Sequence, residues 1–146
     1  MTRINAGIKP QELSDAMLFA EYREIKRIPN KIKKGKYNFS NPAPTEFRLN
    51  SGHELFFRDK ILYLKKRSDS LYKECISRNI NIQDYSGAYN NIPPHLYKDW
   101  EETPQARELL KERINSKLSK SNAKVRYYKN IVEKEEVIGS ETKIKV

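Results

Sequence analysis

An apolar pattern with helical spacing between Pro10 and Ile28 constrains the fold of this chain more than any other feature. At 100° per residue, one wide arc of a helix collects most of the apolar side chains of this stretch: Leu13, Met17, Leu18, Ala20, Tyr22, Ile25 and Ile28. Pro10 suits the first helical position, and Glu12 and Asp15 place negative charge near the positive end of the helix dipole. The pattern therefore predicts one helix over residues 10–28.

Two glutamates interrupt this apolar arc. Glu21 points into its middle, and Glu24 lies toward one edge, on the flank that carries Arg23 and Arg27. An ionised carboxylate that is half inside a core costs free energy unless it is paired or hydrogen-bonded. A buried structural ion pair is the simpler interpretation from the helix alone, and a catalytic carboxylate is the alternative.

The strong positive charge predicts a polyanionic partner. The 146 residues include 29 Lys and Arg against 19 Asp and Glu, which gives a formal net charge of +10. Such an excess concentrates a protein near phosphates, and nucleic acid is the most frequent partner of this kind. A basic protein without such a partner is the alternative.

Cysteine and histidine usage argues against disulfide and metal sites. The one cysteine, Cys75, lies on the apolar face of a predicted helix and is interpreted as part of the core, in a chain expected in a reducing cytoplasm. His53 and His95 do not have metal-site spacing, so His53 is predicted to be a hydrogen-bonded structural residue and no metal or cofactor is expected. No apolar run approaches the ~20 residues of a membrane span and no signal peptide is visible, so no membrane association is expected.

Two further main helices are predicted downstream. Ser51 and Glu54 have capping-box spacing and begin a helix that is expected to run to about Ser77 and to end at Arg78 and Asn79. The third helix begins after Thr103, which suits the N-cap position ahead of Pro104.

The predicted fold is all-α, a single compact domain of three main helices joined by long irregular connectors. The connectors are a basic segment over 29–50 and a turn-rich segment over 79–102, in which Pro93 and Pro94 open a short helix through Trp100. The domain is expected to cover residues 1–130, followed by a loosely ordered C-terminal tail over 131–146. On these features alone, an enzyme and a passive binding protein both remain open.

Several separated segments resemble the phage pyrimidine-dimer DNA glycosylase/AP lyase family, the endonuclease V type of ultraviolet repair enzyme. They are TRIN, AEYREIKR, GHELFFRDKILYLKKR and RYYK, in the order and spacing of that family. The resemblance implies a mostly helical monomer in the cytoplasm of a bacterial or phage-infected cell. Its substrate would be lesion-containing double-stranded DNA, in which it cleaves the glycosidic bond of the 5′ pyrimidine of a dimer and then the strand by β-elimination.

The resemblance also implies the catalytic residues. The nucleophile would be the α-amino group of Thr2, exposed when Met1 is removed, and it would form a Schiff base with the sugar. An α-amine has a pKa near ~8, against ~10.4 for lysine, so far more of it is unprotonated at neutral pH. Glu24, in the AEYRE motif, would stabilise positive charge on the sugar and act as the base for elimination.

Five cations are implied as DNA-binding residues. Arg3, Arg23 and Arg27 would contact phosphates that flank the lesion. Arg113 and Lys117 would add a basic pair on the third helix, and charge on a solvated helix face is the alternative for these two. The chain departs from the family pattern at Ala16-Met17 and in its longer tail. The aromatic-rich C-terminal segment of the family is also thinned here, since Lys124 and Val125 precede Arg126-Tyr127-Tyr128 and no Trp or Gly closes it. AP lyase chemistry is therefore a firmer expectation than strict dimer specificity. A non-catalytic DNA-binding protein of the same fold and a basic protein that binds another protein are the alternatives.

Overall fold

The fold is all-α, as the sequence predicts. A computed structural model describes residues 2–49, 52–119, 125–127 and 130–132. Within them the helices are α1 (Asp15–Ile25), α2 (Arg27–Lys33), α3 (His53–Phe57), α4 (Ile61–Ser77) and α5 (Pro104–Ser119), with single 3-10 turns at Pro10–Glu12, Ser86–Tyr89 and Pro94–Leu96. Two three-residue strands, β1 (Val125–Tyr127) and β2 (Asn130–Val132), pair antiparallel with Val125 opposite Val132. The long helices α1, α4 and α5 are the three main helices of the prediction.

The predicted single helix over 10–28 is wrong, because the chain breaks twice. Ser14 is extended, and its Oγ accepts the Met17 N–H at 3.3 Å, so it caps a new helix that starts at Asp15. The second break follows Ile25. Pro29 has no N–H to donate to the Ile25 carbonyl, and the chain turns at Lys26 before α2 begins.

The helix predicted to run to Ser77 also differs at its start. Gly52, with a left-handed φ of 88°, takes the N-cap position, and Ser51 lies outside the described residues. Lys60 leaves helical geometry and its backbone pairs with Tyr97 instead, which separates α3 from α4. The predicted end is confirmed: Asn79 is left-handed, with φ 59°, and the Ile80 N–H donates to the Cys75 carbonyl at 2.9 Å.

The predicted start of α5 is correct, whereas the helix predicted after Pro93 is shorter than expected. Thr103 Oγ1 accepts the Ala106 N–H at 3.1 Å, which confirms the predicted start of α5. The helix predicted from Pro93 through Trp100 is only one 3-10 turn, because the chain beyond it bridges to Lys60. The tail beyond residue 132 lies outside the described residues, so the domain boundary at residue 130 stays a prediction.

The core lies between α1, α4 and the start of α5. The buried apolar side chains of these helices include Leu18, Tyr22, Ile25, Leu64, Leu71, Ala106 and Leu110. Cys75 is one of the core residues, as predicted, and burial raises the pKa of its thiol to about 11, which keeps it protonated and unreactive at neutral pH. Across the described part of the chain, every helix is too short or too polar to cross a bilayer.

Candidate active site

Most of the residues from Thr2 to Ile8 are buried, unlike the usual end segment of a chain. We call residues 2–8 the leader. Its members Thr2, Ile4, Asn5, Ala6 and Ile8 are all buried, and Thr2 is only 2% exposed. Terminal residues are usually poorly ordered unless specific contacts tie them down. The contacts that hold the leader therefore define the candidate site.

Three backbone N–H groups of the leader donate to side chains of three different elements. The Arg3 N–H donates to Glu24 Oε1 on α1 at 3.1 Å. The Ile4 N–H donates to His53 Nε2 on α3 at 2.9 Å. The Gly7 N–H donates to Glu102 Oε2, just before α5, at 2.8 Å, and a Cβ at this glycine would collide with the same carboxylate. The leader is thus held in one position along its length.

A buried ion pair between α1 and α4 forms hydrogen bonds with the leader. Arg67 Nε and Nη2 donate to the two oxygens of Glu21 at 2.7 and 3.0 Å, and both side chains are buried. Glu21 Oε1 also accepts from Asn5 Nδ2 at 2.8 Å, and Arg67 Nη1 donates to the Ile8 carbonyl at 2.5 Å. The sequence alone did not decide which of the two glutamates forms a structural ion pair. The structure shows that it is Glu21, and that its partner is Arg67 of α4.

The charges of this pair stabilise each other. Burial alone would lower the pKa of Arg67, but the charge of Glu21 and its hydrogen bonds outweigh burial, so the pKa of Arg67 is raised. Arg67 therefore stays ionised, and the hydrogen bonds of both side chains go to each other or to the leader.

Glu24 is the carboxylate that faces the start of the chain. It is half-buried, and its Oε1 lies 3.1 Å from the backbone nitrogen of Arg3. Successive backbone nitrogens are at most about 3.8 Å apart, so the Thr2 nitrogen lies within about 7 Å of this carboxylate. Thr2 and Glu24, predicted from the resemblance, are thus neighbours in the fold.

Arg113 of α5 lies close to the same place. Its Nη2 donates to Asn5 Oδ1 at 2.6 Å. Burial lowers the pKa of Arg113, the nearby charge of Arg3 lowers it further, and Glu21 and Glu24 oppose these effects. Arg113 therefore packs beside the leader and does not lie on a solvent-exposed face of α5. Lys117 lies one turn further along α5, and its side chain is outside the described residues.

Two further predicted cations, Arg23 and Arg27, lie on α1 and α2. Arg23 is exposed on α1, with its guanidinium 5.3 Å from the centre of the Phe19 ring, and Arg27 is half-buried at the first position of α2. Arg3 is exposed at the leader. The structure thus brings Thr2, Arg3, Glu24 and Arg113 together, while Arg23 lies on α1 and Arg27 begins α2.

His53 is structural, as predicted, but its partner was not foreseen. Its Nδ1 lies 2.6 Å from the Arg48 carbonyl oxygen, and its Nε2 accepts the Ile4 N–H. A carbonyl can only accept, so Nδ1 carries the proton and the ring is neutral. Burial lowers the pKa of His53 to about 4, which agrees with this assignment.

Sequence reasoning did not find Asn5, Arg67 or Glu102. One signal was available for Arg67: it lies three residues after Leu64 and four before Leu71, on the apolar face of its helix, where a cation needs a carboxylate such as Glu21. Asn5 and Glu102 carry no such signal, because their contacts join segments that are 16 and 95 residues apart.

The N-terminal part of the chain, which contains most of this site, is similar to a known protein family. The family model for pyrimidine dimer DNA glycosylases matches residues 1–85, more than half of the 146 residues. The matched region includes the leader, Glu24 and His53. Helix α5, which contributes Arg113, lies beyond it.

Proposed function

The chain belongs to the pyrimidine dimer DNA glycosylase family, and from this premise we propose that it cleaves damaged duplex DNA by combined glycosylase and AP lyase chemistry. The nucleophile is the α-amine of Thr2 after removal of Met1. Glu24 provides the carboxylate, and the product of the first step is a Schiff base between Thr2 and the sugar. Pyrimidine dimers are the preferred lesion.

One observation carries this proposal: the leader is held so that its first residues lie against Glu24. Glu24 Oε1 accepts the Arg3 N–H at 3.1 Å, and His53 and Glu102 hold the following residues. A chain start that only had to pack would need no half-buried carboxylate at this point. A reactive amine would need one within reach.

The chemistry requires an unprotonated amine and a nearby base. The amine attacks C1′ as the bond from C1′ to the pyrimidine breaks, and opening of the sugar ring gives an iminium that carries positive charge. The Glu24 carboxylate stabilises that charge. It then takes a proton from C2′, and the C2′–H electron pair forms the C1′=C2′ double bond of an enamine. The enamine nitrogen returns its lone pair to restore the iminium, the C1′=C2′ pair becomes the C2′=C3′ double bond, and the 3′ phosphate leaves with the C3′–O bond electrons.

The surrounding cations suit a phosphate-rich ligand. Arg3 and Arg23 are exposed, and Arg27 and Arg113 are half-buried, and of these Arg3 and Arg113 interact with Glu24. In the proposed function they contact phosphates on either side of the lesion, with Lys117 extending the contact along α5.

Borohydride trapping with a Glu24→Gln variant tests this proposal. The amide oxygen of glutamine still accepts the Arg3 N–H, so the leader stays in place while the base is lost. We expect wild-type protein to be trapped on ultraviolet-irradiated or abasic duplex DNA. The variant should bind that DNA with unchanged affinity but cleave it at least about a hundredfold more slowly.

Glu46→Gln is the matched control, because Glu46 is an exposed glutamate of the connector before α3. It should cleave at the wild-type rate. Full cleavage by Glu24→Gln would remove Glu24 from the mechanism. Salt-sensitive DNA binding by the wild-type chain without any trapped species would instead identify a non-catalytic DNA-binding protein.

A further inference from the structure

His53 makes the one side-chain contact to the backbone of Ile4 within the described residues. Ile4 is two residues after Thr2, so its position determines where the chain start can lie. The imidazole is 2% exposed and is packed between the rings of Phe47 and Phe57, at 5.3 and 5.4 Å between centroids. Its orientation is therefore fixed by packing on both sides.

The two ring nitrogens have opposite roles. Nδ1 donates to the Arg48 carbonyl, which leaves Nε2 as an acceptor that faces the Ile4 N–H at 2.9 Å. The His53 ring thus links the segment before α3 to the leader through two hydrogen bonds. A purely apolar side chain at this place would fill the space but would leave the Ile4 N–H buried without an acceptor.

We propose that His53 is a positioning residue for the Thr2 amine: by accepting the Ile4 N–H, it fixes the distance between that amine and Glu24. The inference rests on the proposed function, since it assigns His53 a part in the same reaction. His53 does not touch the reacting atoms. It acts on them through two residues of backbone.

Two variants separate the two hydrogen bonds of the ring. The amide of His53→Gln reaches the place of Nε2, and its oxygen can accept the Ile4 N–H. The shorter side chain of His53→Asn reaches only the place of Nδ1, so it keeps the link to the Arg48 carbonyl and loses the one to Ile4. Comparison of the two therefore isolates the contact that the proposal uses.

The measurements are the single-turnover rate of borohydride-trappable adduct formation on an abasic duplex, and the dissociation constant for the same duplex. We expect His53→Gln to react within about threefold of wild type and His53→Asn to be slower by about tenfold or more, because a small displacement of a nucleophile has a large effect on its rate. The dissociation constant should be unchanged in both variants. The Ile4 amide proton should exchange slowly with solvent in the glutamine variant and fast in the asparagine variant.

Cys75→Ala controls for lost stability, because Cys75 is a core residue of α4 that makes none of the hydrogen bonds described above for the leader. It should lower the melting temperature without changing the adduct rate. Equal rates for the asparagine and glutamine variants would overturn the positioning role even if wild type is trapped. Absence of trapping in wild type would overturn the proposed function itself, so the two failures are distinguishable.

Discussion

Glu21 and Glu24 are one helical turn apart on α1, yet their surroundings differ. Glu21 is 1% exposed, and its two oxygens are engaged by Arg67 and Asn5. Glu24 is half-buried, and the one contact described for it is the backbone N–H of Arg3. The first carboxylate is committed to structure, while the second makes fewer described contacts and is the one that the proposed function uses. Residue type and spacing could not separate these roles, because both glutamates lie on or beside the same apolar arc.

The neutral state of His53 predicts a dependence of stability on pH. Its pKa in the folded chain is about 4, below the usual value near 6.5, so the unfolded chain takes up a proton first as the pH falls. This contribution is fully present above pH ~6.5 and is lost progressively as the pH falls toward ~4, by roughly 3 kcal/mol in total. Arg113 of α5 and the carboxylates of Glu21 and Glu54 are the charges that act on the ring.

Urea unfolding of wild type and His53→Gln between pH 4 and 7.5 measures this contribution. The difference between the two should be constant above pH ~6.5 and should shrink below it, since glutamine does not titrate. A difference that is independent of pH would mean that His53 is not held neutral in the fold.

At the scale of elements, the sequence was most informative about which faces are buried and least informative about where helices break. The buried face of α4 and the caps at Thr103 and Asn79 follow from spacing and local chemistry. The break before α2 also has a local cause, which is Pro29. The apolar periodicity continues across the break, so the sequence pattern did not indicate it. The break at Lys60 has no local cause, because it depends on pairing with Tyr97, 37 positions away.

The pairing of α1 with α4 through Glu21 and Arg67 gives a second stability prediction. Glu21→Gln leaves the guanidinium of Arg67 buried without a counter-charge, which should lower the free energy of unfolding by about 3–5 kcal/mol. Replacing both residues together, as Glu21→Leu with Arg67→Met, should restore much of that loss, because neither charge then remains buried. Urea unfolding followed by circular dichroism is the measurement.

Asp99→Asn is the control for this pair. It breaks the contact between Lys66 and Asp99, whose side chains are 61% and 46% exposed, and should leave the free energy of unfolding almost unchanged. A similar effect of Glu21→Gln and Asp99→Asn would show that the buried pair does not hold α1 to α4.

For the whole molecule, the leader is the point at which distant parts of the chain meet. Glu24 of α1, His53 of α3, Arg67 of α4, and Glu102 and Arg113 from the last part of the domain all contact it. The family match ends at residue 85, so α5 completes the site from outside the matched region. The net charge of +10 favours a phosphate-rich partner, and in the proposed function the leader holds its amine beside Glu24.

The most direct test of this account is to locate the covalent adduct. Wild-type protein should be reduced with borohydride on an abasic duplex, digested, and its peptides fragmented in a mass spectrometer, alongside a variant that carries one extra residue before Thr2. The account predicts a reduced sugar on the α-nitrogen of Thr2 and no adduct in the extended variant, because one residue displaces the amine by up to ~3.8 Å. An adduct on a lysine side chain, or equal trapping of the extended variant, would contradict it.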